Sequence, residues 1–129
     1  MKDKEELQCK VVLVGESGVG KTSIINRYVT NTFNQKLTQT PGVSFAKKTV
    51  FLQDYNQSIK FEIWDTSGQE KYRSLAKVFH KIADVCLLVY DITRRVSFKE
   101  LKKFWINDIK TYDRPNLSKL LFIMFSLNI

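Results

Sequence analysis

Residues 15–22 read Gly-Glu-Ser-Gly-Val-Gly-Lys-Thr, a spacing of glycines, lysine and threonine that suits the binding of a polyphosphate. Glycines let the backbone wrap closely around phosphate oxygens with its amides pointing inward. Lys21 would supply an ammonium for the β- and γ-phosphates, and Thr22 a hydroxyl for Mg²⁺. The alternative, a glycine-rich turn with a capping threonine, is weaker because the flanking residues predict a strand before the segment and a helix after it. The predicted phosphate-binding loop consists of Gly15, Glu16, Ser17, Gly18, Val19, Gly20, Lys21 and Thr22.

A second polar segment, residues 65–68, follows a predicted strand and reads Asp-Thr-Ser-Gly. A carboxylate at the carboxyl end of a strand lies beside the phosphate loop in an open α/β sheet, where Asp65 would hold a Mg²⁺-bound water. The amide of Gly68 would then face a γ-phosphate. The same residues also suit an ordinary turn, since Asp, Ser and Gly favour turns. Together with residues 15–22 they favour a site for a polyphosphate and Mg²⁺.

The elements that must position these residues alternate between strands and helices. Residues 9–14 and 84–90 are apolar runs typical of strands buried on both faces of a parallel sheet. Residues 45–52 and 59–64 alternate in polarity around a polar link, which predicts an antiparallel hairpin. The sequence therefore predicts an α/β fold of three layers, with a mostly parallel sheet and one antiparallel hairpin strand.

Helices are predicted over residues 21–29 and 72–82, and a third is predicted to begin at Ser97. Ser97 and Glu100 have the spacing of a capping box, in which each side chain bonds the other residue's backbone amide. The helix that they open would place Leu101, Trp105 and Ile109 on one apolar stripe. A last buried strand is predicted over residues 120–125.

Length and composition favour one globular domain, residues 1–129, because 43% of the residues are hydrophobic. Cys9 and Cys86 lie in apolar runs without disulfide or metal spacing, which indicates a reducing compartment. No apolar run approaches the roughly 20 residues of a membrane helix. The net charge of +8 does not predict a nucleic-acid partner, because its densest group suits a solvated helix face. That group consists of Arg94, Arg95, Lys99, Lys102 and Lys103.

Several motifs resemble those of the Ras-like small GTPases, most closely the Rab branch, over about residues 9–112. They lie at residues 15–22, 40–45, 64–70, 72–76 and 89–93. The resemblance implies that the hydroxyl of Thr40 binds Mg²⁺ together with Thr22 and Asp65, and that the amide of Thr40 meets the γ-phosphate. It also implies that Gln69 orients the attacking water, so that Gln69 and Lys21 are the expected catalytic residues.

The resemblance further assigns Ser23 and several aromatic residues. The amide of Ser23 would bind the α-phosphate, and Phe33 would pack against the guanine base, although Phe33 also suits a core position. Phe45, Trp64 and Phe79 match the aromatic triad that Rab proteins present to effectors. Phe45 and Trp64 equally suit plain packing across the hairpin.

The family pattern fades after about residue 118. An Asn-Lys-x-Asp motif that reads guanine, a final strand and helix, and a C-terminal cysteine for a lipid anchor are expected in the family but do not occur in these 129 residues. The sequence therefore predicts a small-GTPase domain that lacks its C-terminal strand and helix and carries no membrane anchor.

The resemblance implies a GTP-binding switch in vesicle traffic that hydrolyses GTP slowly, with Mg²⁺ as cofactor and GTP or GDP as ligand. The implied partners are a GTPase-activating protein, an exchange factor and effectors, in the cytoplasm or, for a lipidated full-length form, on the cytosolic face of endomembranes. One alternative is a non-catalytic interaction module that binds regulators with little or no nucleotide affinity. Another is an adenine-preferring phosphotransferase, which the Gln-bearing second loop disfavours.

Overall fold

The computed structural model of the chain describes residues 6–31, 43–66, 83–107 and 119–125. The elements in these ranges are, in chain order, β1 (Leu7–Val14), α1 (Lys21–Thr30), β2 (Val43–Leu52), β3 (Gln57–Thr66), β4 (Val85–Asp91), α2 (Arg95–Glu100) and β5 (Lys119–Phe125). A 3₁₀ turn at Gln53–Tyr55 links β2 to β3, and a π-helical segment at Leu101–Trp105 continues α2. All five predicted strands and the first helix are confirmed within a few residues of their expected ends. The helix predicted over residues 72–82 lies outside the described residues.

The described strands form one five-stranded sheet in the order β2-β3-β1-β4-β5. β1 pairs in parallel with both β3 and β4, and β4 pairs in parallel with β5. β2 pairs antiparallel with β3, with Phe45 opposite Trp64. The predicted mostly parallel sheet with one antiparallel hairpin strand is therefore confirmed, and the carboxyl ends of β1, β3 and β4 meet at the same edge.

The central strand β1 is apolar on both of its faces, as a parallel strand between two helical layers must be. Val12 and Val14 lie in a core cluster that includes Trp105 of the helical segment after β4. Val11 and Leu13 point the other way, into a cluster that includes Ile25 of α1. α1 and α2 thus lie on opposite faces of the sheet, and the predicted three-layer arrangement is confirmed.

Hydrogen bonds tie β1 to its neighbours at two levels, in the middle of the strand at Lys10 and near its carboxyl end at Leu13. The Lys10 amide donates to the Asp84 carboxylate at 2.9 Å, and the Asp84 amide donates to the Lys10 carbonyl at 2.8 Å. Near the carboxyl end of β1, the Thr66 hydroxyl donates to the Leu13 carbonyl at 2.6 Å, in a buried position. These bonds satisfy buried polar groups and set how far each strand extends toward the shared edge.

The prediction that Ser97 opens a helix as its cap is wrong. α2 begins at Arg95 with Arg94 in the N-cap position, so Ser97 lies inside the first turn. The Ser97 side chain is fully buried and its hydroxyl accepts the Asp91 amide at 3.0 Å. A serine two residues into a helix can tie the helix to the preceding strand, and its sequence spacing to Glu100 does not distinguish this role from capping.

The helical segment after Ser97 keeps the predicted apolar stripe in part. Leu101 and Trp105 are fully buried, as predicted, whereas Ile109 lies outside the described residues. The Ile106 amide bonds to the Leu101 carbonyl, the five-residue spacing of a π-helix. In the described ranges, no helix combines the length and the apolar character needed to cross a membrane.

Candidate functional site

The loop that joins β1 to α1 lies at the carboxyl edge of the sheet. α1 begins at Lys21, after Gly20, whose φ of 108° is in the left-handed region that favours glycine. The first α-helical bond runs from the Ile24 amide to the Gly20 carbonyl at 2.9 Å. No side chain caps the N-terminus of α1, and its first turn holds no acidic residue. The backbone amides of this first turn and the positive end of the helix dipole therefore face the loop. An anion fits this end of α1.

The Lys21 side chain lies under the loop and stabilises its curved backbone by two hydrogen bonds. Its Nζ donates to the Gly15 carbonyl at 2.9 Å and to the Glu16 carbonyl at 2.8 Å. Only 5% of the residue is exposed. Burial lowers the pKa of the Lys21 ammonium to about 8, and the nearby Asp65 and Glu16 carboxylates act in the opposite direction. The structure therefore holds a buried positive charge at the centre of the loop.

The loop begins against the end of β4. Gly15 has a φ of 150°, and a Cβ at this position would lie 2.2 Å from the Val89 carbonyl oxygen. Since that contact is with backbone rather than with a movable side chain, only glycine fits between β1 and β4 at this point.

Thr22 and Asp65 meet across the site, although 43 residues separate them in the sequence. The Thr22 hydroxyl donates a hydrogen bond to Oδ2 of the Asp65 carboxylate. Asp65 is 2% exposed and follows directly from the core of β3, which ends at Thr66. A hydroxyl and a carboxylate are hard oxygen donors of the kind that Mg²⁺ prefers, so this pair fits the cation that the sequence implies.

The donor set also limits which cation fits. Among the residues that the structure describes, no three His, Cys, Asp or Glu side chains come together to hold a metal ion. The coordination of a cation bound at Thr22 and Asp65 would therefore be completed by oxygens of a bound phosphate group and of water, as it is for Mg²⁺ at phosphate sites.

The other predicted residues of the loop contribute in different ways. The Val19 side chain is fully buried in the core, which leaves only its backbone facing the site. Ser23 is 8% exposed and lies in the first turn of α1. The backbone carbonyls of Glu16 and Ser17 accept hydrogen bonds from Lys21 and Arg94 respectively. Five further predicted site residues lie outside the described residues: Phe33, Thr40, Gly68, Gln69 and Phe79.

The two described members of the predicted aromatic triad lie on the hairpin. The rings of Phe45 and Trp64 pack at a centroid distance of 5.1 Å with an interplanar angle of 48°. Phe45 is nevertheless 48% exposed, while Trp64 packs in part against the core. The pair thus combines the packing across the hairpin that the sequence allowed with an aromatic surface open to solvent.

Sequence reasoning missed two side chains that shape the site. The Thr66 hydroxyl ties the end of β3 to the end of β1, and Arg94 reaches the loop from the turn after β4. The sequence predicts a solvated charge for Arg94, because it belongs to a basic group around a predicted helix. Its position three residues after a strand that ends at the site was the available signal.

Comparison with known proteins places the chain in a family. The model of the Ras family matches residues 10–124. The chain is 40% identical over 114 residues to the Ras-related protein RabC of Dictyostelium discoideum, and 38% identical over 121 residues to the Ras-related protein RABA1b of Arabidopsis thaliana. It is also 38% identical over 112 residues to the Ras-related protein Rab-1 of Theileria annulata.

These matches cover 88%, 94% and 87% of the chain. They cover 58%, 55% and 50% of the three relatives, so the chain spans about half the length of the curated relatives it matches. The family match lies over the loop, over Asp65 and over all five strands at least in part. By this match and these Rab-named relatives, the chain belongs to the Ras family of small GTPases, in its Rab branch.

Proposed function

We propose that this chain binds a guanine nucleotide together with Mg²⁺ and acts as a Rab-type GTP-binding switch in vesicle traffic. The observation that carries the proposal is the placement of Lys21, buried beneath the curl of the loop and next to the Thr22–Asp65 pair. The Lys21 ammonium and the uncapped amides of α1 together supply positive charge and hydrogen-bond donors for an anion, and a polyphosphate has the matching oxygens.

The loop supports phosphate binding through charge and shape. The Lys21 ammonium already bonds two backbone carbonyls, and an ammonium has three hydrogens, so one remains for a phosphate oxygen. The early amides of α1 point to the same region. In this proposal Lys21 neutralises charge that develops on the β- and γ-phosphates during hydrolysis.

The metal half of the site rests on the donor pair. Thr22 and Asp65 would hold Mg²⁺, and Thr40 would complete the protein's share of the ligands. When bound, Mg²⁺ neutralises phosphate charge and orients the polyphosphate. Asp65 suits this role because the end of β3 is fixed by the bond from Thr66 to the Leu13 carbonyl.

The remaining roles come from family membership. Gln69 would orient the attacking water, Gly68 would bond the γ-phosphate, and Phe33 would pack on the base. An effector would read the nucleotide state from loops ordered by the γ-phosphate and from the aromatic surface of Phe45, Trp64 and Phe79. A GTPase-activating protein and an exchange factor would act on the same loops. We propose slow hydrolysis without such a partner.

Titration of the purified 129-residue protein with fluorescent GDP and ADP analogues tests the proposal, with and without Mg²⁺. We expect GDP to bind more tightly than ADP and Mg²⁺ to strengthen its binding. Weak binding of both nucleotides would favour the non-catalytic interaction module, and tighter binding of ADP would favour an adenine-specific phosphotransferase.

A matched pair of variants tests the metal arm. Thr22→Val removes the hydroxyl and keeps the shape of the side chain. Thr49→Val makes the same change at an exposed position of β2. We expect Thr22→Val to lose most of the strengthening by Mg²⁺, roughly 10-fold or more, as changes at metal sites commonly do. Thr49→Val should keep it. Equal Mg²⁺ dependence in both variants would contradict a role for Thr22 in binding the cation.

A further inference from the structure

Arg94 lies in the turn between β4 and α2, exposed to solvent, yet its guanidinium contacts the phosphate loop. Its Nη1 donates to the Ser17 carbonyl at 3.2 Å, across 77 residues of sequence. The same nitrogen lies 3.4 Å from the position that a Cβ on Gly18 would take. A permanent positive charge therefore lies at the solvent-exposed side of the loop, on the carbonyl next to those that the buried Lys21 ammonium contacts.

The backbone that carries Arg94 is held on its amino-terminal side by Asp91. The Asp91 carboxylate accepts the Thr93 amide at 2.8 Å and the Thr93 hydroxyl at 2.6 Å. The Arg94 amide donates to the Asp91 carbonyl at 3.0 Å. Asp91 is only 6% exposed, so the acceptor side of these bonds is buried, and together they hold the turn.

The carboxyl-terminal side of Arg94 is held by the fully buried Ser97. The Arg94 carbonyl accepts the Ser97 amide at 3.0 Å and the Ser97 hydroxyl at 2.7 Å. The root of the arginine side chain thus has a fixed position relative to β4, and β4 in turn abuts the start of the loop at Gly15. The guanidinium reaches Ser17 from a rigid base rather than from a mobile surface loop.

The contact with Ser17 has a geometric consequence for the next amide. A trans peptide is planar, so its C=O and N–H point in opposite directions. Since Arg94 holds the Ser17 carbonyl outward, the Gly18 amide must point to the inner side of the loop. Gly18 has a φ of 78°, a left-handed conformation in which glycine is nearly unrestrained, so this peptide needs an external contact to keep one orientation.

We propose that Arg94 is a positioning residue for nucleotide binding, which clamps the Ser17–Gly18 peptide from outside and so keeps the Gly18 amide directed at the polyphosphate. This inference rests on the proposed function. It assigns to the turn after β4 a share in nucleotide affinity, through the loop and without contact with the nucleotide itself.

The test measures how fast a fluorescent GDP analogue leaves the Mg²⁺-loaded protein after excess unlabelled GDP is added. Arg94→Ala is compared with Arg95→Ala, which removes the same side chain from the adjacent exposed position. We expect Arg94→Ala to release nucleotide about 2- to 10-fold faster, the range that the net loss of one exposed hydrogen bond implies. Arg95→Ala should release it at the wild-type rate, and Arg94→Lys should lie between Arg94→Ala and the wild type.

Thermal unfolding of the nucleotide-free proteins separates positioning from general stability. We expect the midpoints of Arg94→Ala and Arg95→Ala to agree, because the contact is exposed and tethers only the loop. Equal release rates for Arg94→Ala and Arg95→Ala would overturn the proposal. So would faster release accompanied by a clearly lower midpoint for Arg94→Ala alone, or a lysine variant no slower than the alanine variant.

A second readout keeps this inference separable from the proposed function. Hydrogen exchange of the loop amides in the nucleotide-free protein reports the clamp directly, and Arg94→Ala should speed exchange at Gly18 relative to Arg95→Ala. If the wild-type protein binds no nucleotide and exchange still differs, the proposed function fails while the clamp remains. If nucleotide binds and neither exchange nor release differs, the clamp alone fails.

Discussion

The proposed phosphate-binding end of the sheet buries polar side chains, whereas the outer surface of the β2–β3 hairpin exposes aromatic ones. At the phosphate-binding end, Lys21, Asp65 and Thr66 are 5%, 2% and 1% exposed. On the hairpin, Phe51 and Tyr55 are 55% and 78% exposed. Polar groups are therefore buried beside the loop, where a polyphosphate and Mg²⁺ are proposed to bind. Aromatic rings are exposed on the hairpin, where Phe45 of the proposed effector surface is also 48% exposed.

Each of the two regions presents side chains that a partner of matching chemistry would stabilise. A buried charge is tolerated only with hydrogen-bond partners, and Lys21 has two backbone carbonyls as partners. A partner that covers exposed aromatic groups removes apolar surface from water, which lowers the free energy. In the proposed function the first region binds a polyphosphate and the second binds a protein, so we expect a substitution in one region to leave binding at the other unchanged.

The largest expected effect comes from removing the buried charge. We expect Lys21→Ala to weaken GDP binding by about 2–5 kcal/mol, the usual cost of truncating one partner of a buried charge pair. Lys47→Ala on exposed β2 should leave GDP affinity unchanged. Equilibrium titration with a fluorescent analogue measures both. A similar loss in the two variants would mean that the affinity reflects net charge rather than the site.

The carboxylate at the end of β3 offers the next largest effect. We expect Asp65→Asn to weaken Mg²⁺ binding in the presence of GDP by about 10- to 100-fold, since a carboxamide keeps the shape and loses the charge. Asp54→Asn, in the exposed turn at the tip of the hairpin, is the matched control. Titration of Mg²⁺ against the release rate of bound GDP gives the measurement. An unchanged Mg²⁺ midpoint for Asp65→Asn would exclude Asp65 from the cation site.

A smaller effect should follow from pH. The pKa of Lys21 is lowered to about 8 by burial, and bound phosphate favours the charged form and raises that pKa. Above pH 8, binding must therefore take up a proton, and we expect GDP affinity to fall by up to about tenfold per pH unit. Isothermal titration in buffers of different ionisation enthalpy measures the proton uptake.

Stability should respond to pH with the opposite sign. In the unfolded chain Lys21 has its ordinary pKa of 10.5, so between pH 8 and 10.5 the unfolded state binds more protons than the nucleotide-free folded state. The contribution of Lys21 to the free energy of unfolding should then rise with pH across this window. Lys21→Met should abolish both this rise and the fall in affinity. A wild-type affinity that is flat above pH 8 would contradict the buried ammonium.

The smallest expected effect lies on the hairpin. Phe45→Ala removes the ring that packs on Trp64, and we expect it to lower the free energy of unfolding by about 0.5–1.5 kcal/mol. GDP affinity should not change. Denaturant unfolding and nucleotide titration of Phe45→Ala beside Phe51→Ala, which alters an exposed ring on the same strand, make the comparison. A loss of GDP affinity in Phe45→Ala would show that the two regions are coupled.

The part of the site that sequence reasoning predicted is the part that local pattern determines. The loop follows from the glycine spacing and Lys21, because backbone approach and charge are needed within a few residues of each other. The hairpin follows from alternating polarity, which also places Phe45 opposite Trp64.

The parts that were missed depend on contacts distant in sequence. The bond from Arg94 to Ser17 joins residues 77 apart, and no local pattern carries that pairing. Ser97 also shows that a local pattern does not determine a tertiary contact. Its spacing to Glu100 predicted a cap, but tertiary contact with the end of β4 gave its hydroxyl a different partner.

The close approach of Gly15 to the end of β4 limits which amino acids can replace it without loss of nucleotide binding. A Cβ there would meet the Val89 carbonyl oxygen at 2.2 Å, and neither backbone can withdraw without breaking the pairing of β1 with β4. If codon 15 were fully randomised and the library selected for nucleotide retention, glycine alone should survive, whereas randomised codon 18 should also return small residues. The lack of space for a Cβ atom at Gly15 would thus appear as a lower tolerance to substitution there than at Gly18.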